Sequence, residues 1–175
     1  MIKLIVCTDL EGNIGKNNDL LFHIPEDMKF FKKMTNDNYV VMGDKTWDSL
    51  PKKPLPNRVN VIASFDDEKL EEIDRGGYED LVFTYNDFQE IIVDYQIMED
   101  LIDADLFIIG GASIYNQVIE MGVVEEAYVT IVSTVCKDAD VAINLDELEL
   151  LLPKQEIIDD CMYDGKLVTF WKYTK

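Results

Sequence analysis

Leu106-Phe107-Ile108-Ile109-Gly110-Gly111 is a short, unbroken apolar run that stops on two glycines. A strand with one wet face alternates apolar and polar side chains. An unbroken run of this length instead predicts a strand covered on both faces, as in a parallel sheet flanked by helices. The glycine pair predicts a tight turn, and residues 112–120 behind it predict a helix.

The same theme repeats outward from this stretch. Upstream, residues 87–102 read as a long acidic helix and residues 81–85 as a strand. Residues 58–64 read as a strand after a proline-rich turn (Pro51, Pro54, Pro56), and residues 39–42 as another. Residues 25–35 predict a helix, with proline at its first position and Glu26 and Asp27 in the first turn, where the helix dipole favours anions. Residues 1–8 form an apolar strand, followed by a Gly- and Asn-containing loop through Asp19. Downstream, residues 127–135 and 166–173 are expected to close the sheet as a final antiparallel pair. The predicted class is three-layer α/β, in one domain over residues 1–175: a mostly parallel twisted sheet with an antiparallel C-terminal strand and helices on both faces. Ligands of such sheets bind beyond the carboxyl ends of the strands, here the loops after Thr8, Met42, Ser64 and Ile109.

Composition narrows the function. The 175 residues, 47% hydrophobic, suit one globular core. No apolar run is long enough to span a bilayer. Met1-Ile2-Lys3 enters a strand without the features of a secretory signal, so a soluble cytoplasmic protein with no membrane partner is expected. Cys7, Cys136 and Cys161 are widely spaced and His23 is the sole histidine, so neither a metal site nor a disulfide framework is expected. A formal net charge of −19, with Arg58 and Arg75 the only arginines, argues against a nucleic-acid partner. The acidity reads as a solvated, self-repelling surface.

At helical spacing Ile24, Asp27, Met28, Phe31, Met34 and Thr35 share one face of the 25–35 helix, whereas Glu26, Lys29 and Lys33 lie towards the other. Asp27 therefore sits in an apolar stripe, a costly place for a carboxylate unless something hydrogen-bonds it. Alone, it reads first as an ordinary first-turn acid complementing the helix dipole, and only second as a buried carboxylate satisfied by a ligand. Gly43 and Gly110-Gly111 each follow a strand and precede a helix, a geometry that brings helix amino termini near phosphates. Neither fits the GxGxxG fingerprint, and no GKS or GKT loop occurs.

In combination these segments are far more specific. Leu4-Ile5-Val6-Cys7 is followed by Asn13-Ile14-Gly15 and Leu20, then by Pro25-Glu26-Asp27-Met28-Lys29-Phe30-Phe31. Val41-Met42-Gly43 precedes Lys45-Thr46-Trp47-Asp48-Ser49, and Pro54-Leu55-Pro56-Asn57-Arg58 precedes Asn60-Val61-Ile62. Ile109-Gly110-Gly111-Ala112 with Ile114-Tyr115, and Tyr128-Val129-Thr130, complete the series. In this order the chain resembles the dihydrofolate reductase family along nearly its whole length, more loosely between Phe65 and Asp105 and after Asp146.

The resemblance implies hydride transfer from NADPH to C6 of dihydrofolate, with a proton at N5, giving tetrahydrofolate. It also implies dihydrofolate and antifolates as ligands, and a monomer, since no conspicuous apolar stripe is left over. It assigns Asp27 as the ionisable group of the pterin pocket, accepting hydrogen bonds from the 2-amino group and a ring nitrogen. Thr130 matches a threonine bridging to that carboxylate, and Phe31 a ring packing on the pterin and benzoyl groups. Ile5 and Ile109 match positions whose carbonyls face the pterin; Val6, Met28 and Leu55 fall on further substrate positions. Arg58 matches the arginine that grips the glutamate α-carboxylate, for which its planar fork is suited. Thr46 and the amides around Gly43, Gly110, Gly111 and Ala112 match phosphate contacts, and Tyr115 an aromatic beside the nicotinamide. Cys7, Asp44, Lys45, Ser64, Ser113 and Ile114 fall on other cofactor positions. Ile14, Gly15 and Leu20 match a mobile loop that closes over the nicotinamide. Leu20, Phe22 and Tyr115 join Asp27 around the reacting atoms.

Three residues depart from the pattern. Phe22 replaces a tryptophan and lacks its ring donor. Asp44 and Ser113 stand where cations commonly meet the cofactor's 2′-phosphate. NADPH is expected with an unusually weak preference over NADH, Lys45 or Ser64 being available to compensate. His23 is expected to face solvent. Two other functions are weighed by the same residues: a related reductase acting on a ribosylated pyrimidine, which lacks the Asp27, Phe31 and Arg58 set, and a ligand-binding protein without catalysis.

Overall fold

In the computed structural model, which describes residues 1–78 and 81–175, eleven strands and six helices are assigned among the described residues. In chain order they are β1 (Ile2–Thr8), β2 (Asn13–Lys16), β3 (Asp19–Leu20), α1 (Pro25–Thr35), β4 (Tyr39–Gly43), α2 (Asp44–Ser49), β5 (Val59–Ala63), α3 (Asp67–Asp74) and β6 (Val82–Tyr85). There follow α4 (Phe88–Met98) with a 3₁₀ turn at Glu99–Leu101, β7 (Leu106–Gly110), α5 (Ala112–Glu120), β8 (Glu126–Val132), β9 (Val141–Ala142), α6 (Leu145–Leu151), β10 (Lys154–Tyr163) and β11 (Lys166–Thr174).

The main sheet has the order β10-β11-β8-β1-β7-β4-β5-β6. β8, β1, β7, β4, β5 and β6 run parallel, and β11 pairs antiparallel to β8. The 106–109 run is the interior strand its composition predicts: Leu106, Phe107 and Ile108 are at most 1% exposed, between β1 and β4. One face carries Leu4, Val41 and Ile108 against Ile91 and Ile92 of α4 and Val118 of α5. The other carries Ile5, Met42, Ile62 and Phe107 against Trp47 of α2, Ile73 of α3 and Phe31 of α1. The predicted three layers are present.

Five expectations are corrected. The sheet does not end at residues 166–173, because β10 lies outside β11. As an edge strand β10 is exposed along most of its length, so no alternating burial marked it. Residues 9–19 are not simply a loop: β2 and β3 form a hairpin, turned by Asn17 and Asn18 at positive φ, that pairs with β9. The 87–102 helix ends at Met98, and the 127–135 strand at Val132. Finally, an apolar stripe is left over. Val93, Ile97 and Leu101 are 52%, 72% and 84% exposed on the outer side of α4 and its following turn. The expectation of a monomer then rests on the family resemblance alone.

Candidate active site

Asp27 lies in the first turn of α1, one residue ahead of Met28, whose amide donates to the Ile24 carbonyl at 3.0 Å. Burial raises the Asp27 carboxyl above its ordinary range, and the Thr130 hydroxyl on β8 acts in the opposite sense. No cation figures among the groups acting on it. Thr130 is 1% exposed, as a polar side chain reserved for a buried partner would be. Asp27 in turn helps hold two other groups protonated. The Cys7 thiol is pushed well up, by burial first and then by the Asp27 charge, and so is the Tyr115 phenol. That phenol donates to the Ile5 carbonyl at 2.7 Å, fixing the α5 ring against β1. Asp27, Thr130, Cys7, Tyr115 and Ile5 are thus one neighbourhood. Val6 is buried on β1 and Ile109 half-buried on β7.

The predicted apolar face of α1 is only partly right. Ile24 and Thr35 are buried, but Met28 is 49% exposed and Phe31 half-buried. Phe30, which the helical spacing left aside, packs against Tyr128 and Phe170 at 5.9 and 5.1 Å between ring centroids. Phe22 and Cys7 pack against the cluster of Ile24, Val132, Val168 and Phe170. Met28 and Phe31 therefore keep apolar surface uncovered at the end of α1 that carries Asp27.

Arg58 is 6% exposed, and among the described residues it has no acidic partner. Its Nε donates to the Pro56 carbonyl at 2.9 Å and its Nη1 to Thr35 Oγ1 at 3.3 Å, with the guanidinium 5.9 Å from the Phe31 ring centroid. Burial lowers its pKa without a compensating anion. An enclosed cation of this kind calls for an anionic ligand. The turn that presents it is stitched by Asn60, fully buried on β5. Asn60 Oδ1 accepts from the Leu55 amide at 2.9 Å, and its Nδ2 donates to the Leu55 and Arg58 carbonyls at 3.1 Å each. Sequence reasoning gave Asn60 and Thr35 no role, because an interior amide or hydroxyl shows its partners only once the chain is folded.

Across the sheet a cleft of about 300 Å³ is lined by Gly43, Asp44, Lys45, Thr46, Ser64 and the residues 111–114, with Phe65 and Asn86 added by the fold. The amino termini of α2 and α5 meet here. A Cβ on Gly43 would stand 4.0 Å from the Gly111 amide nitrogen, and one on Gly111 3.4 Å from Thr46 Oγ1. Neither Gly43 nor Gly111, the two N-cap residues, is closed by a side-chain acceptor. The Lys45 amide in the first turn of α2 is taken by Asp44 Oδ1 at 2.6 Å, which leaves the other amides of the two helix starts and the Thr46 hydroxyl as candidate donors to an anion. Gly110 is held at φ +115°, with a cis peptide to Gly111, and a side chain there would press on the Tyr115 ring at 3.1 Å.

The β2–β3 hairpin is tied down at both ends. Asp9, fully buried, accepts from the amides of Glu11, Asn13 and Cys136 at 2.9, 3.0 and 2.7 Å and from Asn13 Nδ2 at 2.9 Å. Burial would raise this carboxyl, yet the donors hold it below its ordinary value. Asp140 accepts from the Asn17 amide at 2.9 Å and donates its own amide to the Gly15 carbonyl at 3.1 Å. Lys16 pairs with Asp138. Ile14 is buried, whereas Leu20 is 55% exposed at the hairpin's end. His23 is exposed and 3.5 Å from Asp19.

The fold is that of an α/β protein, a class whose ligands bind beyond the carboxyl ends of the parallel strands, where these groups lie. Comparison with known proteins gives the particular kind. Residues 1–172 match the dihydrofolate reductase family model. A dihydrofolate reductase of Ureaplasma parvum serovar 3 is 33% identical over 181 residues, covering 100% of this chain and 99% of that protein. One from Bacillus subtilis is 32% identical over 121 residues, covering 66% of this chain and 61% of its own length. A Mycoplasmoides gallisepticum protein named segregation and condensation protein A is 30% identical over 176 residues, covering 98% of this chain but 26% of that protein. The chain belongs to the dihydrofolate reductase family, a family of oxidoreductases that implies a folate substrate and a nicotinamide cofactor.

Proposed function

We propose that this protein reduces 7,8-dihydrofolate to tetrahydrofolate with NADPH, hydride arriving at C6 and a proton at N5. The observation that carries the proposal is Asp27, a carboxyl held above its ordinary range by burial, with Thr130 acting on it and, among the described residues, no cation doing so. Asp27 is half-buried, and a ligand that offers paired donors, as the 2-amino group and adjacent ring nitrogen of a pterin do, replaces the water such a carboxylate loses. Asp27 then orients the ring and favours its protonated form, and water carries the proton to N5. Ile5 and Ile109 present backbone carbonyls, and Met28 and Phe31 present uncovered apolar surface to the ring and benzoyl group. Arg58, enclosed and without an acidic partner among the described residues, takes the glutamate α-carboxylate.

The residues that would hold the cofactor are Thr46 and the amides after Gly43 and Gly110-Gly111, for the phosphates, with Cys7, Ile114 and Tyr115 near the nicotinamide. When bound, the nicotinamide supplies the hydride. The buried Tyr115 phenol stays protonated and acts as a donor to Ile5, not as an acid or base. Ile14, Gly15 and Leu20 form the lid that excludes water. Phe22 keeps a ring at its position without a hydrogen-bond donor. We place the activity in the cytoplasm. The preference for NADPH over NADH is below roughly a thousandfold, about 4 kcal/mol, because the Asp44 carboxylate lines the cleft that would receive the 2′-phosphate. Dihydrofolate-dependent oxidation of NADPH, abolished by methotrexate, is the expected result. Methotrexate binding without any oxidation would leave a folate-binding protein instead.

A further inference from the structure

The register of the sheet sets Asp44 beside Ser64. Gly43 on β4 pairs with Ala63 on β5, so the next residue on each strand faces the same end of the cleft. Both side chains are committed. The Ser64 hydroxyl donates to Asp44 Oδ2 and accepts from the Asp66 amide at 3.1 Å, while Asp44 Oδ1 accepts from the Lys45 amide at 2.6 Å. A hydroxyl has one proton to give, so Ser64 retains no donor for a phosphate while this pair is intact. Ser113, at the facing helix, accepts from Gln117 Nε2 at 3.1 Å. Beside the Ser113 hydroxyl, which keeps its own proton, and the exposed Lys45, the fixed group that meets a ligand here is a carboxylate, which accepts hydrogen bonds and donates none. Phe65, 85% exposed on the same rim, offers a free aromatic face to a nucleobase.

We infer that the Asp44–Ser64 pair reads the adenosine ribose of the dinucleotide, accepts a free 2′-hydroxyl and opposes a 2′-phosphate, so that the protein binds the NADH type of cofactor about as well as the NADPH type. A vicinal diol can donate to a carboxylate; a phosphomonoester brings like charge to it. Lys45, exposed and adjacent, supplies a countering charge, which is why near parity follows and not exclusion of the phosphate. The inference rests on the dinucleotide reading of the cleft and deepens it.

Calorimetric titration of the whole protein with ADP-ribose and with its 2′-phosphorylated form isolates this step from hydride transfer. The two are expected to bind with dissociation constants within about tenfold of each other. Asp44→Asn, and independently Asp44→Ser, are expected to shift the ratio by about tenfold or more towards the phosphorylated ligand. Raising the salt is expected to tighten the phosphorylated ligand relative to ADP-ribose, as repulsion is screened. A more than tenfold preference of the unaltered protein for the phosphorylated ligand, or a ratio that both substitutions leave in place, overturns the inference. Failure of either ligand to bind overturns the dinucleotide reading beneath it.

Discussion

Asp27 is under two opposed demands. In the empty protein its enclosure disfavours the charged form, and Thr130 offsets this only in part, so the folded carboxyl titrates above its unfolded value. A group raised in this way contributes stability that is full below the unfolded value, near 4, and is lost as pH rises through the raised folded value. Asp27→Asn is therefore expected to raise the Tm of the empty protein at neutral pH, by on the order of 2–4 °C for each kcal/mol recovered, with the gain vanishing in acid. Thermal denaturation of both forms across pH checks this. A Tm that falls at neutral pH would mean the carboxylate is well satisfied without a ligand. Asp27 could be placed on an apolar stripe from sequence, but Thr130 was tied to it only by family resemblance, since 102 intervening residues separate them.

At the scale of elements, legibility followed burial. Strands β1, β4, β5 and β7 declare themselves because both faces are covered, and α1 and α5 because proline or glycine marks their starts. Solvent-facing pieces were missed although their local signals were present. Asp164-Gly165, at φ +48° and +71°, is a hairpin turn of the type that favours Asp-Gly, and it predicts the β10–β11 pair. Asn144, whose side chain accepts from the Glu147 amide at 3.2 Å, is the N-cap of α6. The β2–β3 hairpin is less accessible to such reading, because β9, Asp138 and Asp140 come from far along the chain. A Cβ on Gly15 would meet Val141 Cγ2 at 2.8 Å and the Asp19 carbonyl at 2.9 Å, and the latter is backbone that cannot step aside. Gly15→Ala is expected to cost about 1–3 kcal/mol and to lower turnover by displacing the hairpin. Full turnover with an unchanged Tm would show that this hairpin does not serve as a lid.

For the molecule as a whole, 35 acidic residues face 16 basic ones. Two buried carboxylates, unlike Asp27, have cations or amides gathered round them. Glu126 is buried yet held below its ordinary value by Tyr128, Lys172 and Lys3, as Asp9 is by amides. Both contribute stability present above the unfolded carboxyl value and lost as pH falls through their lowered ones, the reverse of Asp27. Most other acids are exposed and repel one another. Raising salt from about 0.01 to 0.15 M shortens the screening length from roughly 30 to 8 Å. The Tm is expected to rise over this interval, and kcat/KM for the anionic folate to rise with it, because the net field opposes approach while Arg58 acts only at close range. A Tm that falls with salt would assign the stability to attractive surface pairs.

The most direct measurement is the pH profile of dihydrofolate reduction by Asp27→Asn against the unaltered protein. A half-buried carboxylate that binds and polarises the pterin predicts a loss on the order of a hundredfold or more at neutral pH, recovering in part as acid protonates the substrate itself. Activity at neutral pH equal to that of the unaltered protein would contradict the assignment.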